Sequence, residues 1–379
     1  MKKNPKKDSF LKIAMLGHKT VPALDSSRGG VEVVVEELAP RLVALGCKVT
    51  CYNRTGCNNG GQSEYKGVTL KPVPTFKRKG LAAMTSSFFA TVMATFGGYD
   101  VIHFHAEGPC FWMWIPWLFG RKCVATIHGL DFARAKWSGG LGAKYIRNGE
   151  KMAVKHASEI IVLSKGVQDY FWNTYQRKTV FIPNGVSQPK IRGAKEITEK
   201  FGLKKDDYIL FLGRIVPEKG LRYLIEAYAR LQTGKKLVIA GGSSDTDEFM
   251  QELRELAVGM EHVVFTGFVA GRLREELYSN AYVYVLPSDL EGMPLSLLEA
   301  MSYGNCCLVS DIEECAEVVE DKAVVFRKSE VEDLREKLQG LCDDDVTVKK
   351  YKDAAAEFIC RKYCWDEVAG KTLMLYKRA

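Results

Sequence analysis

Short apolar segments alternate along the chain with longer segments of helical periodicity. In the first half, segments rich in valine, isoleucine and leucine predict buried strands, each followed by a loop. They lie at residues 12–17, 48–52, 100–105, 123–127, 159–164 and 179–186. Continuous apolar segments are typical of strands that are buried on both faces of a parallel sheet. The first half is therefore expected to be an α/β unit with crossover helices.

The same alternation resumes in the second half, after a turn and a polar stretch up to residue 207 that we interpret as an interdomain linker. Strands are predicted at residues 208–212, 236–242, 262–268 and 281–286, and helices at 221–231, 247–258 and 272–279. The predicted fold class is α/β, with two doubly wound, Rossmann-like domains facing a cleft. The predicted domains are residues 1–186 and 187–355, followed by a C-terminal segment, 356–379, with a helix over 365–376.

Residues 287–301 predict a loop and a helix start at the carboxyl end of the strand 281–286. Ligands of open α/β sheets bind at this edge. Gly292 lets a ligand approach the backbone, and Pro294 suits the first turn of the helix. Glu291 and Glu299 flank the loop, and their carboxylates can bind sugar or ribose hydroxyls. The alternative is that Glu291 caps the helix and Glu299 lies on a solvated helical face.

A second loop carries two cations to a helix start. Gly213 and Arg214 follow the strand 208–212, and Lys219 and Gly220 come directly before the predicted helix 221–231. An arginine fork can bind two phosphate oxygens, and a nearby lysine adds a point charge. This arrangement predicts a diphosphate clamp, with an ordinary charged surface loop as the alternative.

The first half offers two candidate elements at strand ends. Gly29 and Gly30 open a helix after the strand 12–17, where backbone N–H groups can approach a phosphate or a sugar. His128 ends the strand 123–127, beside a glycine. The alternatives are an ordinary helix start and a structural histidine. The G-x-G-x-x-G fingerprint is absent from the sequence, which argues against a nicotinamide enzyme.

These elements resemble one known family. Residues 291–301 resemble the E-x7-E signature of retaining glycosyltransferases with the GT-B fold, in the large family four, also called group 1. The elements at Arg214, at Lys219, at Gly29 and at His128 are similar to that family in order and position. The segments 131–137 and 144–156 resemble a subgroup that acts in cell-surface polysaccharide and capsule assembly, including rhamnosyltransferase-like members.

The resemblance implies a glycosyltransferase that moves a hexosyl or deoxyhexosyl unit from a nucleotide-sugar donor to a sugar or lipid-linked acceptor, with retention. It implies catalytic roles for His128, Arg214, Lys219 and Glu291. Arg214 and Lys219 would hold the diphosphate, and Glu299 the ribose. The donor-binding residues are Gly29, Gly30, Arg214, Lys219, Gly292, Met293, Pro294, Leu295 and Glu299. In this family's front-face mechanism, the leaving phosphate takes the acceptor's proton. The resemblance also implies that the terminal helix crosses back onto the first domain.

Neither a cofactor nor a metal is expected, because the two cations already supply positive charge. Residues 245–247 match the D-x-D of manganese-dependent transferases, but Asp247 is well placed to cap the helix that follows. A sugar-nucleotide epimerase of the same fold remains the alternative activity, and a non-catalytic nucleotide-sugar binding protein remains open. A phosphorylase would need a pyridoxal lysine and a longer chain. Nucleic acid is not an expected partner.

Charge and composition indicate where in the cell the protein is expected. Apolar residues make up 46% of the chain and charged residues 26%, as in an ordinary globular protein. The net charge of +8 is uneven: residues 1–186 hold 26 Lys and Arg against 12 Asp and Glu. We expect a cytoplasmic protein whose basic half contacts the anionic inner face of a membrane. A phosphate-bearing acceptor and a solvated basic face are the alternatives for this half. The aromatic run 110–119 is interpreted as a core helix, with an interfacial anchor as the alternative.

Overall fold

The structure is a computed structural model. It describes residues 10–23, 29–57, 61–76, 78, 81–130, 140–242 and 247–379, without the side chain of Asp247. The chain divides into two compact units. The first comprises residues 1–184 and 365–379, and the second comprises residues 185–364. The chain therefore divides at 184/185 and 364/365, against predicted boundaries at 186/187 and 355/356.

In the first unit the elements are β1 (Lys12–Leu16), α1 (Gly30–Ala44), β2 (Lys48–Arg54), β3 (Glu64–Tyr65), β4 (Val68–Val73), α2 (Leu81–Phe96), β5 (Val101–His105), α3 (Glu107–Cys110), α4 (Trp114–Leu118), β6 (Lys122–Ile127), α5 (Gly140–His156), β7 (Glu159–Val162), α6 (Lys165–Tyr175) and β8 (Val180–Phe181).

In the second unit they are α7 (Glu196–Phe201), β9 (Tyr208–Leu212), a 3-10 helix (Pro217–Lys219), α8 (Leu221–Tyr228), β10 (Lys236–Ala240), α9 (Asp247–Leu256), β11 (Val263–Gly267), α10 (Gly271–Asn280), β12 (Val283–Leu286), α11 (Leu295–Ser302), β13 (Cys306–Ser310), α12 (Glu313–Val319), β14 (Val324–Phe326), α13 (Val331–Asp343) and α14 (Asp345–Lys362). The last helix, α15 (Trp365–Arg378), belongs to the first unit.

Within its described residues, the first unit has one sheet of eight strands in the order β3-β4-β2-β1-β5-β6-β7-β8. All neighbouring pairs are parallel except β3 with β4. The chain builds outward from β1 through β2 and then returns to place β5 on the other side of β1. The loops after β1 and β5 therefore diverge at a topological switch point, the position where ligands bind in such sheets.

Strands β3 and β4 were not predicted from the sequence. β4 alternates buried Val68, Leu70 and Val73 with more exposed residues, among them Pro72, which weakens a strand assignment. The proline is tolerated because β4 pairs there with β2 alone: β3 reaches β4 only at Val68 and Thr69. Proline has no N–H to donate, and at an unpaired edge no hydrogen bond between strands is lost.

The second unit has a sheet of six parallel strands, counted over its described residues, in the order β11-β10-β9-β12-β13-β14. Its switch point lies between β9 and β12. The strands carry fully buried residues on both faces, as in β9 and β13. This burial confirms that the continuous apolar segments form a doubly covered α/β sheet.

The interpretation of residues 187–207 as a linker was wrong. Helix α7 lies there, in the second unit, and its Ile197 is fully buried. The buried carboxylate of Glu276 accepts hydrogen bonds from the backbone N–H groups of Lys195 and Ile197. The sequence did not indicate this helix, because Glu276, which binds the backbone at its start, is remote in the chain.

Helix α15 closes the first unit by packing on α1. Asp366 pairs with Arg41 of α1, with 3.0 Å between Oδ1 and Nε. The buried Tyr376 reaches β5, where its hydroxyl lies 2.6 Å from Nδ1 of His103. Among the described residues, no helix has the length and apolar content required to cross a membrane.

Candidate functional site

In the second unit, the loop after β9 is held against β10. The N–H of Gly213 donates to the carbonyl of Ala240 at 3.0 Å, and the N–H of Ile215 donates to the carbonyl of Gly242 at 3.1 Å. A Cβ on Gly241 would lie 1.8 Å from the carbonyl oxygen of Gly213, so the contact requires glycine. Arg214 lies between the two anchored residues and its side chain is exposed at the switch point. The backbone hydrogen bonds on either side fix the position of the Arg214 main chain, and its guanidinium remains accessible.

The end of the same loop is fastened to the loop after β12. Gly220 has φ +65°, and a Cβ there would lie 1.9 Å from the carbonyl oxygen of Pro287. The N–H of Asp289 donates to the carbonyl of Glu218 at 2.9 Å. Tyr223 adds a side-chain contact, because its hydroxyl donates to Asp289 at 3.1 Å. The two loops that the sequence singled out therefore meet as one structure.

Lys219 and Glu291 form an ion pair at this junction. Nζ of Lys219 lies 2.5 Å from Oε1 of Glu291, and the side chains are only 12% and 9% exposed. The hydroxyl of Ser288 donates to the same carboxylate oxygen at 2.7 Å. The sequence predicted both charged residues for the site but not their pairing. Within the described residues Arg214 has no ion-pair partner, in contrast to Lys219.

The helix start after Glu291 differs by one residue from the prediction. Helix α11 begins at Leu295, and Pro294 is its N-cap, with φ −77° and ψ 94°, rather than a first-turn residue. The carbonyl of Pro294 accepts hydrogen bonds from the N–H groups of Leu297 and Leu298, at 3.0 and 3.2 Å. Gly292 and Met293 are buried beside it. The fixed φ of proline suits either position, but ψ of 94° places this residue outside the helix.

Glu299 lies in the second turn of α11 and pairs with a residue that sequence reasoning missed. Nη1 of Arg274, in α10, lies 3.3 Å from Oε1 of Glu299, and the side chains are 26% and 25% exposed. The negative charge of Glu299 is the main cause that raises the pKa of Arg274 above its ordinary value. No local signal identified Arg274. Arg272 lies two residues earlier in the same helix and pairs with Glu276, and the sequence does not distinguish the two arginines.

In the first unit, the start of α1 is already occupied by a carboxylate. Gly29 is the N-cap and Gly30 the first helical residue. The buried Glu32 accepts hydrogen bonds from the N–H of Gly29 at 3.1 Å and of Lys19 at 2.9 Å. A Cβ on Gly29 would lie 2.4 Å from the Glu32 carboxylate. This contact explains why residue 29 is a glycine without any ligand. Ligand binding at Gly29 and Gly30 stays a prediction.

His128 follows β6 and contacts a buried histidine. Its Nε2 lies 3.2 Å from Nδ1 of His105, whose ring lies 4.2 Å from that of His103. His103 also contacts the hydroxyl of Thr126 at 2.7 Å. Burial lowers the pKa of His103 to about 3, and burial together with the neighbouring histidines lowers that of His105 well below its ordinary value. Both buried rings are therefore neutral at pH 7.

The structure brings Arg214, Lys219, Glu291 and Glu299 to the same carboxyl edge of the second sheet. His128 and the Gly29–Gly30 pair lie at strand ends of the first. Residues 131–137, part of the predicted subgroup resemblance, fall outside the described residues, and so do residues 243–246. Over the residues that are described, no group of three or more His, Cys, Asp or Glu side chains is placed to hold a metal ion.

The chain matches two family models. Residues 28–188 match the model described as Glycosyltransferase Family 4, and residues 194–358 match the model described as Glycosyl transferases group 1. The alpha-maltose-1-phosphate synthase of Mycolicibacterium smegmatis is 25% identical over 396 residues, which cover 97% of this chain and 99% of that relative. The O-antigen chain mannosyltransferase B of Escherichia coli is 27% identical over 186 residues, 48% of each chain.

Among solved structures, the Anabaena protein HepE in complex with UDP and glucose has a TM-score of 0.80 and 17% identity, covering 97% of this chain and 100% of that one. This likeness shows the fold: two Rossmann-like domains of the GT-B type. The two family models together span most of the sequence, and the loops that carry Gly29, Arg214 and Glu291 follow strands at the switch points of their sheets. The chain belongs to the group 1 glycosyltransferases of the GT-B fold.

Proposed function

We propose that this glycosyltransferase moves a sugar from a nucleoside diphosphate sugar to a sugar or lipid-linked sugar acceptor, with retention of anomeric configuration and without a metal. The observation that carries the proposal is the junction of the two loops, where Lys219 pairs with Glu291 within a sheet edge that also presents Arg214. Because Lys219 contacts Glu291, the proposed diphosphate subsite lies next to the proposed sugar subsite.

Each residue has a defined role in this proposal. Arg214 and Lys219 neutralise the charge that grows on the departing diphosphate, the effect expected to contribute most to the rate. Glu291 and the backbone of residues 292–295 bind the donor sugar. Glu299 binds the ribose hydroxyls. His128 lies near the reacting carbon.

The bond changes follow from retention. The bond between the anomeric carbon and the phosphate oxygen breaks, and the acceptor oxygen forms its bond to the same face of that carbon. The proton of the acceptor hydroxyl moves to the departing phosphate oxygen. No separate side-chain base is then required.

Release of nucleoside diphosphate from a panel of UDP, GDP, ADP and TDP sugars, with and without oligosaccharide acceptors, tests the proposal. We expect turnover with at least one donor in EDTA, and proton NMR should show the donor's anomeric configuration in the new product. Loss of activity in EDTA, restored by manganese, would contradict the metal-free mechanism. An epimerase would instead change the donor sugar and need no acceptor. Inverted product would contradict retention.

Two clamp variants and one control variant test whether the activity depends on the clamp. Arg214→Ala and Lys219→Ala should each lower turnover by at least about tenfold, because a charge-assisted contact is lost. Lys205→Ala removes one exposed lysine before β9, at the opposite edge of the same sheet, and should retain wild-type turnover. Equal activity in all three variants would refute the clamp.

We further propose that the acceptor belongs to cell-surface polysaccharide synthesis and is met at an anionic membrane. The Escherichia coli relative named as an O-antigen chain mannosyltransferase supports the first part. A surface of the first unit supports the second. It comprises Phe96, Trp117, Leu118 and Phe119, each about half exposed or more, with the rings of Phe96 and Phe119 4.9 Å apart. Contiguous exposed apolar side chains of this kind mark interaction sites.

Basic side chains lie next to this aromatic surface. Arg121 and Lys122 follow it in the chain, and they line one concavity together with Lys377 of α15. The core interpretation of the aromatic run holds for one side only: Cys110, Met113 and Ile115 are buried, whereas Trp114 and Trp117 are 40% and 49% exposed. Aromatic side chains beside cations are suited to the headgroup level of a bilayer.

Co-sedimentation with vesicles tests the membrane proposal. We expect binding to phosphatidylcholine vesicles that contain phosphatidylglycerol, little binding to phosphatidylcholine alone, and loss of binding in high salt, because screening shortens the range of the attraction. Trp117→Ser should weaken binding. Trp172→Ser, which changes a tryptophan of similar exposure (45%) in α6, should not. Equal binding to both vesicle types at low salt would contradict an anionic membrane contact.

A further inference from the structure

The two carboxylates of residues 291–299 have different partners. Glu291 pairs with Lys219, which is itself placed to bind the donor. Glu299 pairs with Arg274, which comes from a third element, α10. Arg274 lies in the first turns of α10, directly after the loop that follows β11, so it reaches the same carboxyl edge of the sheet. The arginine is therefore part of the site's geometry, although it has no role in the proposed chemistry.

The contact between Arg274 and Glu299 uses one carboxylate oxygen. Nη1 lies 3.3 Å from Oε1, and each side chain keeps about a quarter of its surface exposed. Behind the pair, the rings of Tyr278 and Tyr303 stack with their centroids 5.3 Å apart. Both tyrosines are close enough to the pair to influence the pKa of Arg274, and the pair still faces solvent on one side.

Binding two neighbouring hydroxyls requires a carboxylate that is ionised and held in one orientation. A glutamate side chain that is free in solution loses substantial rotamer entropy when it is ordered. An arginine that holds Oε1 reduces that cost before the ligand arrives. The contact to Arg274 occupies Oε1 alone, and a quarter of the Glu299 side chain stays exposed for hydrogen bonds from a diol.

We propose that Arg274 is a positioning residue for ribose recognition: it holds Glu299 in the orientation that accepts the 2′- and 3′-hydroxyls of the donor's nucleoside. This inference rests on the proposed function, in which Glu299 binds the ribose. The competing account is that Arg274 only links α10 to α11. A purely structural link would affect the binding of every nucleotide equally, whereas a positioning role affects only those nucleotides that carry ribose hydroxyls.

Calorimetric titration with UDP, GDP and ADP, and with their 2′,3′-dideoxy counterparts, separates the two accounts without an acceptor or turnover. We expect the wild-type protein to prefer its best ribonucleotide to the dideoxy form by about tenfold, the size expected for hydrogen bonds to a charged group. Glu299→Gln should lose most of that preference. Arg274→Met should reduce it to about twofold or less, mainly by weakening the ribonucleotide, and Arg274→Lys should restore part of it.

Arg272→Met is the matched control, because it breaks an ion pair to Glu276 in the same helix without touching Glu299. It should keep the ribose preference even if it lowers the melting temperature. A preference retained in Arg274→Met but lost in Glu299→Gln would overturn the positioning role and leave the proposed function standing. A preference retained in Glu299→Gln, or absent from the wild type, would overturn the proposed ribose contact and this inference with it.

Discussion

At the scale of single residues, the charge of Lys219 is balanced by Glu291, so the two loops share one ion pair. The sequence could indicate both residues, because each lies in a loop at a predicted strand end. It could not show that they meet, because 72 positions separate them. Arg274 was beyond reach for a similar reason: its importance depends on contact with Glu299 and not on any local pattern.

The Lys219–Glu291 pair gives a prediction about binding. In Glu291→Gln the negative charge beside Lys219 is removed, so a nucleoside diphosphate without a sugar should bind about fivefold more tightly. Turnover of the nucleotide sugar should fall, because the donor sugar loses a partner. Calorimetry and a turnover assay on the same preparation measure the two effects. Weaker or unchanged diphosphate binding would show that Glu291 does not compete for Lys219.

At the scale of elements, the sequence predicted the apolar strands well, because burial on both faces leaves continuous apolar segments. It failed where packing overrides local pattern. Strand β4 contains a proline that only its partly unpaired edge tolerates, and α7 is anchored by the remote Glu276. The start of α11 at Leu295 was displaced by one residue, a difference that depends on the ψ angle of Pro294.

Gly220 is the element-scale position that most directly connects the fold to the site. Gly220→Ala should destabilise the second unit by at least about 2 kcal/mol, because alanine is strained at φ +65° and its Cβ would overlap the carbonyl of Pro287. The shift should also separate Lys219 from Glu291 and weaken diphosphate binding. Urea denaturation measures the stability. Gly234→Ala is the control, since a Cβ there meets nothing within 4 Å. Equal stability of the two variants would contradict this account of the loop junction.

At the scale of the whole molecule, the C-terminal helix α15 returns to the first unit and contributes Tyr376 to its histidine core. The sequence indicated the helix from its periodicity, and the resemblance implied its return. His103 and His105 lie in the segment 100–105, which the sequence predicts as a buried strand. Their neutral state depends on burial by several elements, which no local pattern shows.

These histidines predict acid sensitivity of the first unit. Burial lowers the pKa of His18 to about 4 and of His103 to about 3. Below pH 6.5 the unfolded chain binds protons that the native rings do not, so stability is full above that pH and falls as the pH decreases toward 4. For each such histidine, the free energy of unfolding decreases by about 1.4 kcal/mol for each pH unit in this range.

All six tryptophans lie in the first unit, so tryptophan fluorescence monitors its unfolding selectively. The melting temperature should fall clearly between pH 7 and pH 5. His262→Gln, at an exposed position of the second unit, should leave that pH dependence unchanged. A melting temperature that is constant between pH 7 and pH 5 would show that the buried histidines do not control the stability of the first unit.

A diphosphate clamp formed by Arg214 and Lys219 can be tested by calorimetric titration of the EDTA-treated protein with UDP, ADP, GDP and TDP and with the matching monophosphates. We predict that at least one diphosphate binds about tenfold or more tightly than its monophosphate. Arg214→Ala and Lys219→Ala should abolish that difference, whereas Lys205→Ala should preserve it. Equal affinity for mono- and diphosphates in the wild type, or a difference that survives in both clamp variants, would contradict the account.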